Sequence, residues 1–478
     1  MSYVPAQELQ TTAFGELSTA EATPEVQVSA VNGLRDDMQQ LFAGAGSSVG
    51  ATDGNYECVS GTDPAGISSL LSKREITYRP GQGLEARFTA LFPTNQPNSI
   101  QLAGLINSNN IFSFGYNGTE FGIVRAYNGV VELQTLQVTT PAGGAENATI
   151  TVNGTAYIVP LTSGTVQHNA FEISNSLNTQ IPNYTFSSNN DTVTALAGIP
   201  IAAGSFAFTS GTAVAAWTQN ATGVAATFDW VAQADWSETL PFALDPTKGN
   251  VYQIKMQYLG YGGIRFYVED PETDSFVLAH NYQYANAHTV PSVGNPTFRI
   301  GWVAQNLGNT TPITVKGASA AGFTEGKKIL DDRVRGLSNE IAGLGTTQVN
   351  LLTIRNRIDI GNNINRVSVY PKLLIASASH NKTVVLHINI GTVFSGDLDF
   401  SYLDVVNSSI EYATDQAPVL SSGREVATIR LRSTGPIPLN LSEMINILMP
   451  RETLTFTVST SSGAGAECDV SITWQEDA

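Results

Sequence analysis

Basic charge is what this chain of 478 residues most lacks. From Ala126 to Thr247 there is no Lys or Arg, and only eight acidic residues. Charged residues make up 14% of the whole, against roughly 25% in a typical soluble domain, and the net charge is −17. Nucleic-acid backbones call for clustered Lys and Arg, so this balance argues against such a partner. It argues equally against docking on anionic lipid. Cysteine is almost absent. Cys58 and Cys468 stand far apart and read as reduced residues half-buried in strands, not as a disulfide framework. No run of 18 apolar residues exists, so no membrane span or insertion is expected. The start, Met1-Ser2-Tyr3-Val4-Pro5, shows no basic segment followed by an apolar one, so no secretory signal is expected either.

Catalytic signatures are missing too. The five histidines, His168, His280, His288, His380 and His387, form no H-E-x-x-H motif or short metal-binding pair. There is no G-x-S-x-G elbow, and Gly81-Gln82-Gly83 is a turn with no third glycine. The acidic loop Glu269 to Asp274 reads as a solvated hairpin tip, not a calcium loop. The chain is therefore expected to be no enzyme, with no metal and no cofactor. Two acidic pairs keep glycan hydrolysis open as a third reading. These are Asp397 with Asp399, and Asp229 with Asp235, which flank Trp230 and Trp236. The two tryptophans are glycan-contact candidates, because a ring face stacks on a sugar without any catalytic group.

What remains is dense in Thr, Ser, Asn, Gly, Ala and Val, which suits stacked strands with neutral, hydrogen-bonding outer faces. Such a surface, short of charge, is a solubility liability unless partner chains cover it. The length implies two or three domains. Residues 1–72 read as an N-terminal arm, with a strand around Val26 and Val28. A helix is expected at Gly33 to Phe42, where Leu34, Met38 and Leu41 recur at helical spacing.

Residues 73–325 read as a large antiparallel sandwich. Leu84, Ala86, Phe88 and Ala90 alternate, as do Phe112, Phe114 and Tyr116 before the Asn117-Gly118 turn signal. Tyr252, Ile254 and Met256, then Ile264, Phe266 and Val268, continue a β-meander with one apolar face per strand. The stretch 141–235 either completes this sandwich or forms an insertion on it. Residues 326–352 read as a helical connector. In it Leu330, Val334, Leu337, Ile341 and Leu344 follow a heptad-like spacing. Either this helix lies on a sheet, or it forms a short bundle at a rotational axis with those five residues as an oligomer seam. Residues 353–478 read as a smaller C-terminal sandwich.

Several strand sequences resemble structural proteins of large DNA viruses and large tailed phages. They include Ile76-Thr77-Tyr78-Arg79-Pro80-Gly81-Gln82-Gly83, Phe114-Gly115-Tyr116-Asn117-Gly118-Thr119-Glu120-Phe121 and Asn295-Pro296-Thr297-Phe298-Arg299-Ile300-Gly301-Trp302. The ending, Glu452-Thr453-Leu454-Thr455-Phe456 through Ile472-Thr473-Trp474, is similar to the closing strand pair of such proteins. The resemblance spans 73–325 and 354–478. It implies a virion structural protein (minor capsid, fibre, decoration or tail-associated) at the particle surface, with no catalytic residues to carry over. The fold expected is all-β, a large sandwich of jelly-roll or concanavalin-like type plus a smaller one, joined by a short helix. The expected partners are further copies of the chain, a trimer by preference, and other virion proteins. The alternative is a carbohydrate- or receptor-binding module, on a host-surface glycan.

Overall fold

A computed structural model describes residues 22–35, 37–79, 81–107, 109–181, 184–197, 204–257, 259–294, 296–326, 333–361, 363–379, 382–396, 398–432, 435–445 and 447–477. The chain is all-β and antiparallel, with a single α-helix among the described residues. It divides into two compact units: residues 1–131 with 199–202 and 224–328, and residues 132–198 with 203–223 and 329–478.

The first unit is a sandwich. One sheet runs Ala22–Ser29, Ser319–Glu325, Leu84–Ala90, Asn250–Met256, Ile264–Glu269, Phe276–Tyr282. The other runs Thr227–Ala232, Glu120–Tyr127, Ile111–Asn117, Ser99–Ile106, Arg299–Asn306, Ile67–Ser72, Met38–Ala43. The alternation read from the sequence sends Phe88, Phe114, Tyr252 and Phe266 into one core. There Phe114 meets Tyr252 at 4.5 Å between ring centroids and Phe266 edge-on at 5.4 Å. Such aromatic contacts add about 0.5–1.5 kcal/mol each beyond area burial. The Asn117-Gly118 signal is a hairpin turn: Asn117 pairs with Glu120, and Gly118 sits at φ 63, where a side chain would be strained.

The arm is corrected. From Ala22 onward it is built into this unit, with Ala22–Ser29 and Met38–Ala43 as outer strands of the two sheets. The helix expected at Gly33 to Phe42 is instead a short 3-10 turn, Ala30–Asn32, followed by the strand Met38–Ala43, which pairs with Ile67–Ser72. A segment of about ten residues is marginal as a helix without tertiary support. Pairing buries Met38 and extends a sheet.

In the second unit, one sheet runs Arg333–Leu344, Ala466–Asp477, Ser368–Ser379, Ile437–Asn440. The other runs Ser401–Tyr402, Ile410–Ala413, Val349–Asn356, Thr453–Thr460, Val384–Ile390, Arg424–Leu431. Leu352, Phe456 and Trp474 lie in the core between them. The unit also takes in a lobe, residues 132–198 and 203–223, so most of the stretch 141–235 does not complete the first sandwich; its end, Thr227–Ala232, does, as an outer strand of that sandwich. The lobe has two small sheets and the helix Val166–Gln180, capped by Thr165, whose hydroxyl accepts from His168 N.

The helical connector at 326–352 is also corrected. Residues 333–344 are a strand on the edge of their sheet, paired from Arg333↔Glu476 to Leu344↔Ala466. Gly336 and Gly343 would each cost about 1 kcal/mol in a helix interior. Gly343 instead takes φ 73 at a bulge between Ile341 and Leu344. Without a helix there is no heptad seam. Val334 is exposed, Leu337, Ile341 and Leu344 pack into or against their own sandwich core, and Leu330 lies outside the described residues.

Candidate functional site

The tryptophans mark where to look, and the structure separates them. Trp236 follows the turn Gln233–Asp235 and is 9% exposed, its ring edge-on to Phe114 at 5.9 Å. It is a core residue, which corrects its reading as a glycan contact. Trp230 is half-buried on Thr227–Ala232, opposite Val124. Its neighbour Asp229 points to the other face of the strand and lies directly opposite Arg125. Asp235 is exposed on its turn, and Asp397 lies outside the described residues.

Arg125 is the centre of a cluster that the sequence alone did not reveal. Its strand, Glu120–Tyr127, sends Phe121 and Ile123 into the core, and the same period-2 face ends in Arg125 and Tyr127. The guanidinium is 6% exposed as a residue. It lies 4.2 Å from the Tyr127 ring centroid, 5.0 Å from that of Tyr284 and 6.0 Å from that of Tyr282. Cation–π contacts of this kind contribute roughly 0.5–2 kcal/mol, more as water is removed. Arg125 Nε is buried without a hydrogen-bond partner, and among the described residues the side chain makes no ion pair.

Tyr282 closes the cluster from the last strand of the other sheet, its hydroxyl 3.5 Å from the Asp229 carbonyl oxygen. Burial, then the Asp229 charge, push its phenol well above the ordinary range, so the hydroxyl keeps its proton. His280, two residues back, meets Tyr282 edge-on at 4.7 Å. Its Nδ1 accepts from Ser237 N at 3.0 Å, which leaves Nε2 carrying the proton in the neutral ring. Burial lowers the His280 pKa and Asp229 partly opposes that, so the ring is neutral at pH 7. Next along, Tyr284 stacks on His288 at 4.0 Å.

The cluster therefore offers N–H and O–H donors from Arg125, His280 and the tyrosines, one carboxylate acceptor at Asp229, and flat aromatic faces. Hydrolysis of a glycoside by paired carboxylates requires two acids facing each other. Here Asp229 is the one acid acting on both His280 and Tyr282. The acidic hairpin tip is self-satisfied: Asp270 Oδ1 accepts from Glu272 N at 2.9 Å, and Asp270 is 8% exposed. Both cysteines are buried free thiols in strands. Burial holds Cys58 far above the ordinary thiol range and pushes Cys468 up to about 12, so neither is a nucleophile. No described helix is long and apolar enough to cross a membrane.

No protein-family model matches this chain, and no curated protein matches it. Solved structures similar to it include the carbohydrate recognition domain of Emp47p, at 11% identity and a TM-score of 0.24, covering 64% of this chain and 95% of that one. A lectin from Bauhinia forficata in complex with GalNAc is similar at 10% identity and 0.23, covering 65% and 99%. A triple jelly roll protein of an archaeal virus turret is similar at 10% and 0.15, covering 96% and 92%. At these identities and TM-scores the likenesses carry no argument about ligand or partner.

Proposed function

We propose that this chain is a non-catalytic carbohydrate-binding protein and that the Arg125 cluster is its sugar site. One observation carries this reading. Arg125 and Asp229 stand directly opposite each other on paired strands, yet the guanidinium lies on tyrosine rings and makes no ion pair among the described residues. A donor and an acceptor held side by side next to ring faces match adjacent hydroxyls on a sugar ring. Lone Asp229, a neutral His280 and a protonated Tyr282 support binding without bond cleavage. A glycan array with the full-length chain, followed by calorimetry on the best ligand, is the test. Asp229→Asn keeps the shape and removes the charged acceptor. It is expected to weaken binding by about tenfold or more, with the melting temperature little changed. Unaltered affinity in that variant would remove the site.

A second reading, assembly of copies at a virion surface, has its own support. Val393, Val405, Val406 and Leu420 of the C-terminal sandwich are 51%, 54%, 73% and 71% exposed. Apolar side chains left this open are common at contact surfaces between chains. Light scattering of the full-length protein reads it directly, a trimer in support and a monomer against.

A further inference from the structure

One sheet of the C-terminal sandwich has an open outer face. Its three long strands, Arg333–Leu344, Ala466–Asp477 and Ser368–Ser379, have 12 residues each, and Ile437–Asn440 is a short fourth. The central strand sends Cys468, Val470, Ile472 and Trp474 into the core, so Glu467, Asp469, Ser471 and Thr473 point outward. The register sets these in rows across the strands. Gly336, Thr473 and Leu373 form one row, and Ser338, Ser471, Ile375 and Pro438 the next. These two rows are uncharged, and Leu373 and Ile375 are each 37% exposed. Twelve residues at about 3.3 Å, on strands about 4.8 Å apart, make a face about 40 Å long and 15–19 Å wide. That is roughly 600–750 Å² before side-chain relief, close to the roughly 800 Å² that each partner covers in a standard interface.

Charge is divided between the two ends of the face. At one end Lys372 leaves its strand at a bulge between Pro371 and Leu373. Its Nζ lies 5.9 Å from the ring centroid of Tyr370, in the row of Gln475. At the other end Glu340, Asp469 and Glu467 are exposed. Asp469 accepts from the hydroxyl of Ser377, its neighbour across the strand pair, which draws the carboxylate towards the strand that carries Lys372. The two charged rows stand equally far from the midpoint between Ser471 and Thr473, which is also the middle of Ala466–Asp477.

We propose that this face pairs with the same face of a second copy of the chain, about a twofold axis that crosses the strands at that midpoint. A twofold interface brings one patch against itself, so the patch has to be self-complementary. An axis across the strands lays the basic end of each copy on the acidic end of the other. It sets Lys372 over the row of Asp469, and Leu373 over Ile375, at both ends of the pair. An axis along the strands would instead oppose the three carboxylates of the two copies, and like charges set against each other are unfavourable. Faces packed in this way lie about 10 Å apart with strands nearly aligned, as in a sandwich. This pairing holds whether or not the Arg125 site takes a sugar.

The test is sedimentation equilibrium of the full-length chain and its charge variants. The wild type is expected at twice the chain mass of 50.8 kDa. Lys372→Glu and Asp469→Lys are each expected to raise the dimer dissociation constant by about tenfold or more. The double variant, Lys372→Glu with Asp469→Lys, restores the opposite charges across the axis and is expected to return to within about threefold of the wild type. Ile375→Lys, near the axis, is expected to leave a folded monomer. A monomeric or trimeric wild type would overturn the proposal. So would a dimer that the single variants leave unchanged, or single variants that weaken it without rescue in the double. Sugar affinity at Arg125 is expected to be the same in all of these variants, so the two sites are read separately.

Discussion

At the residue scale, buried charge decides the energetics of the C-terminal sandwich, and Asp359 shows how. It lies 3.9 Å from Arg357, which by itself would stabilise the carboxylate. Burial outweighs that pairing, Glu411 adds repulsion, and the carboxyl pKa is raised to about 6. The folded value lies above the unfolded one, so the native state holds the proton more tightly. The cost of ionising Asp359 is then fully present above about pH 6 and fades as the pH falls towards the unfolded value near 4. Removing the charge with Asp359→Asn should shift the stability difference in the variant's favour by on the order of 2 kcal/mol between about pH 4 and pH 7. Urea melts of both proteins at the two pH values read this. A difference independent of pH would show that Arg357 fully compensates the burial. Little of this was legible in the sequence: Arg357 and Asp359 are near neighbours in the chain, but Glu411 reaches them only through the pairing of distant strands. Arg125 and Asp229 likewise meet across a strand pair that spans the whole lobe. The sequence put Asp229 beside Trp230, but it held no signal for its meeting with Arg125.

At the scale of elements, the same spacing was written twice and folds in two ways. Val166, Ala170, Ile173 and Leu177 recur at steps of 4, 3 and 4, and they are helical. Leu330, Val334, Leu337, Ile341 and Leu344 follow a similar rhythm, yet residues 333–344 are a strand. Glycine and capping tell them apart. The helix contains no glycine and begins at a Thr cap, whereas Gly336 and Gly343 interrupt the strand. In strand terms Arg335, Leu337, Asn339 and Ile341 share a face, and Leu337 packs against the core of the C-terminal sandwich. Leu337→Asp would therefore put a charge against that core. We expect it to lower stability by about 1–3 kcal/mol, seen as an earlier urea midpoint, whatever the oligomeric state. A variant that keeps its stability but loses mass by light scattering would return Leu337 to an interface between copies. Elements with strict period-2 alternation, such as Asn250–Met256 and Ile264–Glu269, were legible because both their neighbours and their buried faces agree with the local pattern.

At the scale of the whole molecule, sequence order and structural order part company at the lobe. The chain on either side of the lobe is paired within the first unit: Val130 and Val224 exchange both backbone hydrogen bonds, each at 2.9 Å. Composition gave no boundary there, since the same neutral, Thr-rich sequence runs through both. Within its own unit the lobe is tied to the C-terminal sandwich by buried polar contacts. Asn189 Nδ2 donates to Glu411, and Arg355 reaches the Ser188 carbonyl. Glu411, 3% exposed, would keep Arg355 but lose its amide donor without the lobe, and an acceptor buried without its partner costs roughly 1–3 kcal/mol. Excising residues 132–222 and closing the gap with a short glycine linker is thus expected to act unequally. The first unit should keep its cooperative melt and its sugar affinity at Arg125, because the excision points are already adjacent and the core around Phe114 is untouched. The C-terminal sandwich should melt earlier. Two-transition calorimetry with and without the sugar measures each arm. If sugar binding is lost while the first transition stays in place, the Arg125 site needs the lobe as well, and the carbohydrate reading has to be rebuilt around it.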